Sequence, residues 1–124
     1  MIPGVRGDFV KYHLPLCAWA ALIIFGSSLP QGRLLPVPFF VSRLAHFVEY
    51  GVLGFLLIRS FRRFSKREGL AVFCVLSGAG FLFALLDELY QGVVPGRHTE
   101  LGDWLVDASG VCIGIVLKGV LWRR

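Results

Sequence analysis

Hydrophobic and polar positions divide the chain into four long apolar runs separated by short polar segments. The first extends from about Leu14 to Leu29 and carries no charge, and the second, from about Leu44 to Phe61, is interrupted by His46, Glu49 and Arg59. The third, Gly69 to Leu86, is again free of charge, and the fourth, Trp104 to Trp122, holds only Asp107 and Lys118. Each approaches the ~20 residues a helix needs to cross a bilayer core. The runs are continuous and lack the alternation of barrel strands, so helices are the spanning element. The pattern predicts an all-α protein, a four-transmembrane-helix bundle in a single domain 1–124, with helices at about 14–29, 44–61, 69–91 and 103–122. Arg6 and Lys11 precede the first run as they would in a signal peptide. The long opening, Pro15 at the start of the run and the lack of an A-x-A site favour a retained helix instead.

Composition and charge agree with a membrane setting. Of 124 residues, 56% are hydrophobic, and mean hydropathy is +0.70, too apolar for a water-soluble surface. The net charge of +5 does not point to nucleic acid, because the cations do not line one face of a soluble fold. Arg59, Arg62, Arg63, Lys66 and Arg67 form one block between apolar runs; with Arg6, Lys11, Lys118, Arg123 and Arg124 they put ten Lys and Arg on one side. Arg33, Arg43 and Arg97 leave three on the other, which predicts that the N and C termini are cytoplasmic. Cys17, Cys74 and Cys112 lie inside apolar runs without metal or redox spacing and read as small hydrophobes.

Chemistry concentrates in DELYQGVVPGRHTELGDWLVD, Asp87 to Asp107, together with His46 and Glu49. In this topology His46 and Glu49 begin the second helix, Asp87 and Glu88 end the third, and Asp103 and Asp107 begin the fourth, so all six lie towards the outer face. Carboxylates at membrane depth are costly, and where they gather they usually mark a working site. His46, Glu49 and Tyr50 share one helix face, Gln91 lies one turn beyond Asp87 and Glu88, and Asp103, Asp107, Gly110 and Gly114 form one stripe. Gly110 and Gly114 make a GxxxG pair suited to close helix packing. Val94-Pro95-Gly96-Arg97 reads as a turn that holds Arg97 beside the carboxylates, where its fork can meet a carboxylate or a headgroup phosphate. The same residues also admit a structural reading. Glu49 can be the ion-pair partner of His46, Asp103 can favour the start of its helix, and Gln91, His98 and Glu100 can be solvated. Ser27 and Ser28 read as helix-end residues.

These residue types suit acid–base chemistry on a phosphoryl or glycosyl substrate, or oxygen ligation of a divalent cation at Asp87, Glu88 and Asp103. No nucleophile motif, phosphate loop, dinucleotide fingerprint or HExxH zinc motif is present, and no cofactor is expected.

The stretch R-L-A-H-F-V-E-Y-G-V-L-G from Arg43 to Gly54, the series D-E-L-Y-Q-G-V-V-P-G-R with Asp103, Asp107, Gly110 and Gly114 after it, and Ser27-Ser28-Leu29-Pro30 resemble the VanZ-like family of small bacterial integral membrane proteins. The resemblance covers most of the chain. Position by position it falls on His46, Tyr50, Asp87, Glu88, Gln91, Pro95, Gly96, Arg97, Asp103, Asp107 and Gly110. Family members often have lysine where this chain has Arg43, another residue in place of Tyr90, and asparagine at the position of Asp107. The last difference removes Asp107 from the groups whose charge is required. The resemblance implies a multi-pass protein of the bacterial inner membrane and a link to low-level teicoplanin resistance, without implying a mechanism or settling whether the protein is an enzyme. The reading is an outward-facing polar pocket that acts on or binds a membrane lipid or lipid-linked envelope precursor. In it Arg97 grips an anion, Asp87, Glu88 and Asp103 supply acid–base or cation-binding groups, and His46 and Glu49 stand opposite. A non-enzymatic interaction module is the alternative. A small transporter fits less well, since the inner half of the bundle is apolar.

Overall fold

The computed structural model describes residues 3–29 and 38–121. Pro30, Arg33, Trp122, Arg123 and Arg124, which entered the sequence reading, lie outside the described residues.

All regular structure among the described residues is helical. Helix α1, Pro3–Asp8, runs through a π-helical turn, Phe9–His13, into α2, Leu14–Ser28. The wide turn falls just ahead of Pro15, whose ring would clash with a regular α-helical carbonyl one turn back. Helices α3, Phe39–Phe64, and α4, Leu70–Gln91, follow, then α5, Leu101–Val116, which ends in a second π-helical turn, Leu117–Leu121. Helix α3 begins five residues before the second apolar run, directly after Pro38, and so takes Arg43 into its first turns. Gly69, with φ of 105°, makes the reversal into α4.

Among the described residues, three helical stretches are long and apolar enough to cross a membrane: Arg6–Ser28, Phe39–Arg63 and Leu70–Gln91. The α-helical part of the fourth, α5, has 16 residues and carries Asp103 and Asp107 near its start. Cross-helix contacts set an up-down-up-down bundle. Trp19 Nε1 donates to Glu49 O (2.8 Å) between antiparallel α2 and α3, and Trp104 Nε1 donates to Phe81 O (3.1 Å) between antiparallel α4 and α5. The outward surface is apolar, with Phe25, Phe40, Val75, Leu82 and Leu86 all exposed, as lipid contact requires.

Packing is tightest between parallel α3 and α5. A Cβ on Gly114 would lie 1.9 Å from Gly51 O, one on Gly110 2.5 Å from Phe47 O, and one on Gly54 2.2 Å from Val111 O. Backbone therefore meets backbone along this seam, and Val111, fully buried, fills the space that Gly80 of α4 leaves open. Polar residues then divide between the two ends of the bundle. His46, Asp87, Glu88, Asp103 and Asp107 gather at one, and Lys11, Arg59, Arg62 and Lys118 at the other.

Candidate functional site

Above the glycine seam, α3 presents His46 and Tyr50 on one face, and each meets a carboxylate from a different helix. His46 Nδ1 lies 3.1 Å from Asp107 Oδ1 of α5, with the ring N–H donating to the carboxylate. Tyr50 donates its phenol proton to Asp87 Oδ2 of α4 at 2.7 Å. Gln91, one turn beyond Asp87, bridges Ser27 Oγ of α2 (3.1 Å) and the same Asp87 oxygen (3.4 Å). Glu88 Oε1 accepts the backbone N–H of Glu100 (2.8 Å), and Thr99 Oγ1 donates to Glu88 O, so the loop after α4 folds back over the helix end.

Burial sets this group apart. Tyr50 and Asp107 have no exposed surface, and Glu88, Gln91 and Asp87 retain only 1%, 4% and 6%. Carboxylates at this depth ordinarily have every oxygen satisfied. Here Asp87 Oδ1, Glu88 Oε2 and Asp107 Oδ2 are buried without a hydrogen-bond partner among the described residues. Three helix-borne acceptors are thus left available in one polar layer.

The remaining predicted residues divide into those that join this layer and those that do not. The partner of His46 is Asp107, sixty-one residues away, rather than Glu49 on its own helix. Glu49 contributes its backbone carbonyl to Trp19. Gln91 is buried in the layer instead of being solvated, whereas His98 and Glu100 are exposed. Asp103 has turned to Arg43 Nε at 3.2 Å, and Arg43 Nη2 also meets Glu100 Oε2 at 3.4 Å. No side chain caps the start of α5 by hydrogen bonding. Among the described residues no three His, Cys, Asp or Glu side chains come together to hold a metal ion, so Asp87, Glu88 and Asp103 do not form a cation site, and Asp103 pairs with Arg43 instead.

Arg97 departs furthest from expectation. The turn that carries it is present, with Gly96 at φ 78°. Its guanidinium, however, donates from Nε to Leu29 O (2.9 Å) and from Nη2 to Gly26 O (3.0 Å), the latter a carbonyl that also accepts the backbone N–H of Leu29, so it ties down the end of α2. No ion pair between Arg97 and a carboxylate forms among the described residues. Ser27, expected only as a helix-end residue, accepts from Gln91 and so belongs to the layer. Its signals were its position at the end of an apolar run on the acidic side and its place in the Ser27-Ser28-Leu29-Pro30 stretch.

A helical membrane bundle with a buried acidic layer at one end is therefore the class that fold and site define. A family model described as VanZ/LLP1 matches residues 10–122, and the chain belongs to this VanZ-like family. No curated protein and no solved structure matches the chain.

Proposed function

We propose that this VanZ-like membrane protein uses the layer formed by Tyr50, Asp87, Glu88, Gln91, His46 and Asp107 to bind or act on a cell-envelope component, a lipid or lipid-linked headgroup. Three buried carboxylate oxygens that find no hydrogen-bond partner among the described residues carry this reading, because a purely structural network has no use for unsatisfied acceptors. Acceptor groups recognise donors. The headgroup chemistry they favour is hydroxyl or ammonium, as on a sugar or an amino alcohol, rather than a bare anion. This shifts the expected role of Arg97 from gripping an anion to holding the end of α2 in place. Asp103 likewise acts with Arg43 at the rim.

The count of ten Lys and Arg against three supports cytoplasmic termini in the bacterial inner membrane, with the acidic layer facing outward. A link to teicoplanin resistance would follow from altered access to, or composition of, that outer surface. A second reading has its own support. Tyr50–Asp87 and His46–Asp107 each join two helices, so the layer could serve as a structural clasp in a non-enzymatic interaction module.

The two readings separate on Asp87→Asn. The variant keeps an acceptor for Tyr50 but alters the oxygen offered to a ligand. Protein purified in mild detergent from a bacterial membrane is compared with the variant for co-purifying lipid by native mass spectrometry. A lipid species retained by the parent and lost from a variant of parental stability supports the pocket. Identical lipid profiles favour the clasp.

A further inference from the structure

The opposite end of the bundle holds a cavity of about 820 Å³ that the acidic layer does not touch. Seven of its ten lining residues are Lys or Arg, contributed by the π-helical turn before α2, the end of α3, the loop before α4 and the turn after α5. The ring of Tyr12 stands among three of them. Lys11 Nζ lies 5.3 Å, Arg59 Cζ 5.0 Å and Arg63 Cζ 6.0 Å from its centroid. Lys118, only 8% exposed, forms part of the same wall, its ammonium 5.6 Å from the Phe55 ring centroid.

Among the described residues, acidic groups offset only part of this charge. Arg63 pairs with Asp8, and Arg62 pairs with Glu68 at 3.6 Å while it also donates to Lys118 O and Gly119 O. Leaving Lys118 out of the count, six cations less these two carboxylates leave four positive charges among the described residues around one cavity. Like charges brought this close repel unless an anion lies between them. Residues separated by more than a hundred positions are nonetheless held together here by the fold. A segment of scattered loop cations would have been free to spread apart.

We propose that this cavity binds a phosphate-bearing anion, for which the headgroup of an anionic phospholipid and free inorganic phosphate are the two sources. Arg forks and Lys ammonium groups supply charge-assisted hydrogen bonds to phosphate oxygens, and the cavity lies where helices that enter a bilayer begin. The proposal is independent of the acidic layer and stands whichever reading of that layer holds.

The test uses the full chain in nanodiscs of phosphatidylcholine with increasing phosphatidylglycerol, with retained lipid read by native mass spectrometry. A parallel calorimetric titration uses inorganic phosphate on protein in neutral detergent. Preferential retention of phosphatidylglycerol that falls with added salt is expected. Arg59→Gln with Lys66→Gln should weaken it about fivefold per charge removed, and about 25-fold together. Lys66→Arg, which keeps the charge, should retain binding. Displacement of the lipid by inorganic phosphate supports recognition of phosphate alone, and retention of lipid without phosphate binding supports recognition of the headgroup in its bilayer. Should the double variant not fold, Lys66→Gln alone, on the exposed loop, carries the same test with a fivefold loss. Equal retention of the two lipids together with no phosphate binding, or unchanged binding by a folded Lys66→Gln variant, overturns the proposal.

Discussion

Replacing Gly114 with alanine tests the packing on which the acidic layer rests. The added Cβ would sit 1.9 Å from Gly51 O, 2.8 Å from Phe55 N and 2.9 Å from Gly51 C, where ordinary contact begins near 3.4 Å. Relieving the worst overlap requires about 1.5 Å of movement (3.4 less 1.9). All three obstacles are backbone atoms of α3, so no side chain can rotate aside, and the two helices must separate. Overpacking a well-filled core costs about 1–3 kcal/mol when side chains can adjust. With rigid backbone on both sides, the cost should reach the top of that range, about 3 kcal/mol. Separation of this size would also stretch the 3.1 Å contact between His46 and Asp107, two turns above on the same helix pair. The control is Gly78→Ala in α4, whose Cβ would meet nothing within 4 Å. There alanine should be neutral or stabilise by about 0.5–1 kcal/mol through helix propensity. Unfolding in mixed mild detergent and SDS, followed by the fluorescence of Trp19 and Trp104, measures both variants. If Gly114→Ala lies within about 1 kcal/mol of the parent, or if Gly78→Ala is equally disruptive, the close α3–α5 seam is refuted.

Other substitutions probe the layer and its surroundings. Tyr50→Phe removes the donor to buried Asp87 Oδ2 and should destabilise by about 1.5–3 kcal/mol, and a double-mutant cycle with Asp87→Asn should show coupling between the two. Asp107→Asn keeps an acceptor for His46 and should change unfolding by less than about 1 kcal/mol, whereas Asp107→Leu strands the imidazole and should cost about 1–3 kcal/mol by the same measurement. Arg97→Gln loses both carbonyl contacts at the end of α2, so hydrogen exchange should accelerate in residues 26–29 and remain unchanged in the middle of α4. Reporter fusions at the two termini should both report the cytoplasm; opposite sides would contradict the charge count.

Long apolar runs, two of them free of charge, made the helices legible in the sequence, because few alternatives can bury so much apolar surface. The boundaries were less so. Helix α3 reaches back to Phe39 because Pro38 ends the preceding segment and nothing breaks the residues that follow. Helical structure ahead of Leu14 was not anticipated, since a π-helical turn before a proline leaves no periodic mark. In the site, membership was easier to read than partnership. Helix-end position brought His46, Tyr50, Asp87, Glu88 and Asp107 into one layer, but only the tertiary fold could choose Asp107 over Glu49 for His46. Arg97 shows the reason most clearly. Its charge suggested a carboxylate or phosphate, while the carbonyls at the end of α2, sixty-eight and seventy-one residues earlier, offered acceptors that charge pattern cannot reveal. The GxxxG pair pointed to close packing, and the matching glycines of α3, Gly51 and Gly54, lay unremarked within the family stretch.

In the proposed function the buried acidic layer works on an envelope component rather than merely clasping helices. Its most direct test expresses the parent and Asp87→Asn at matched membrane levels in a teicoplanin-susceptible host, with sensitivity and lipid profile measured against cells carrying no insert. The parent should shift sensitivity or lipid profile, and the variant, though inserted and as stable, should return both to the level of the control cells. A variant that retains every effect of the parent would contradict it.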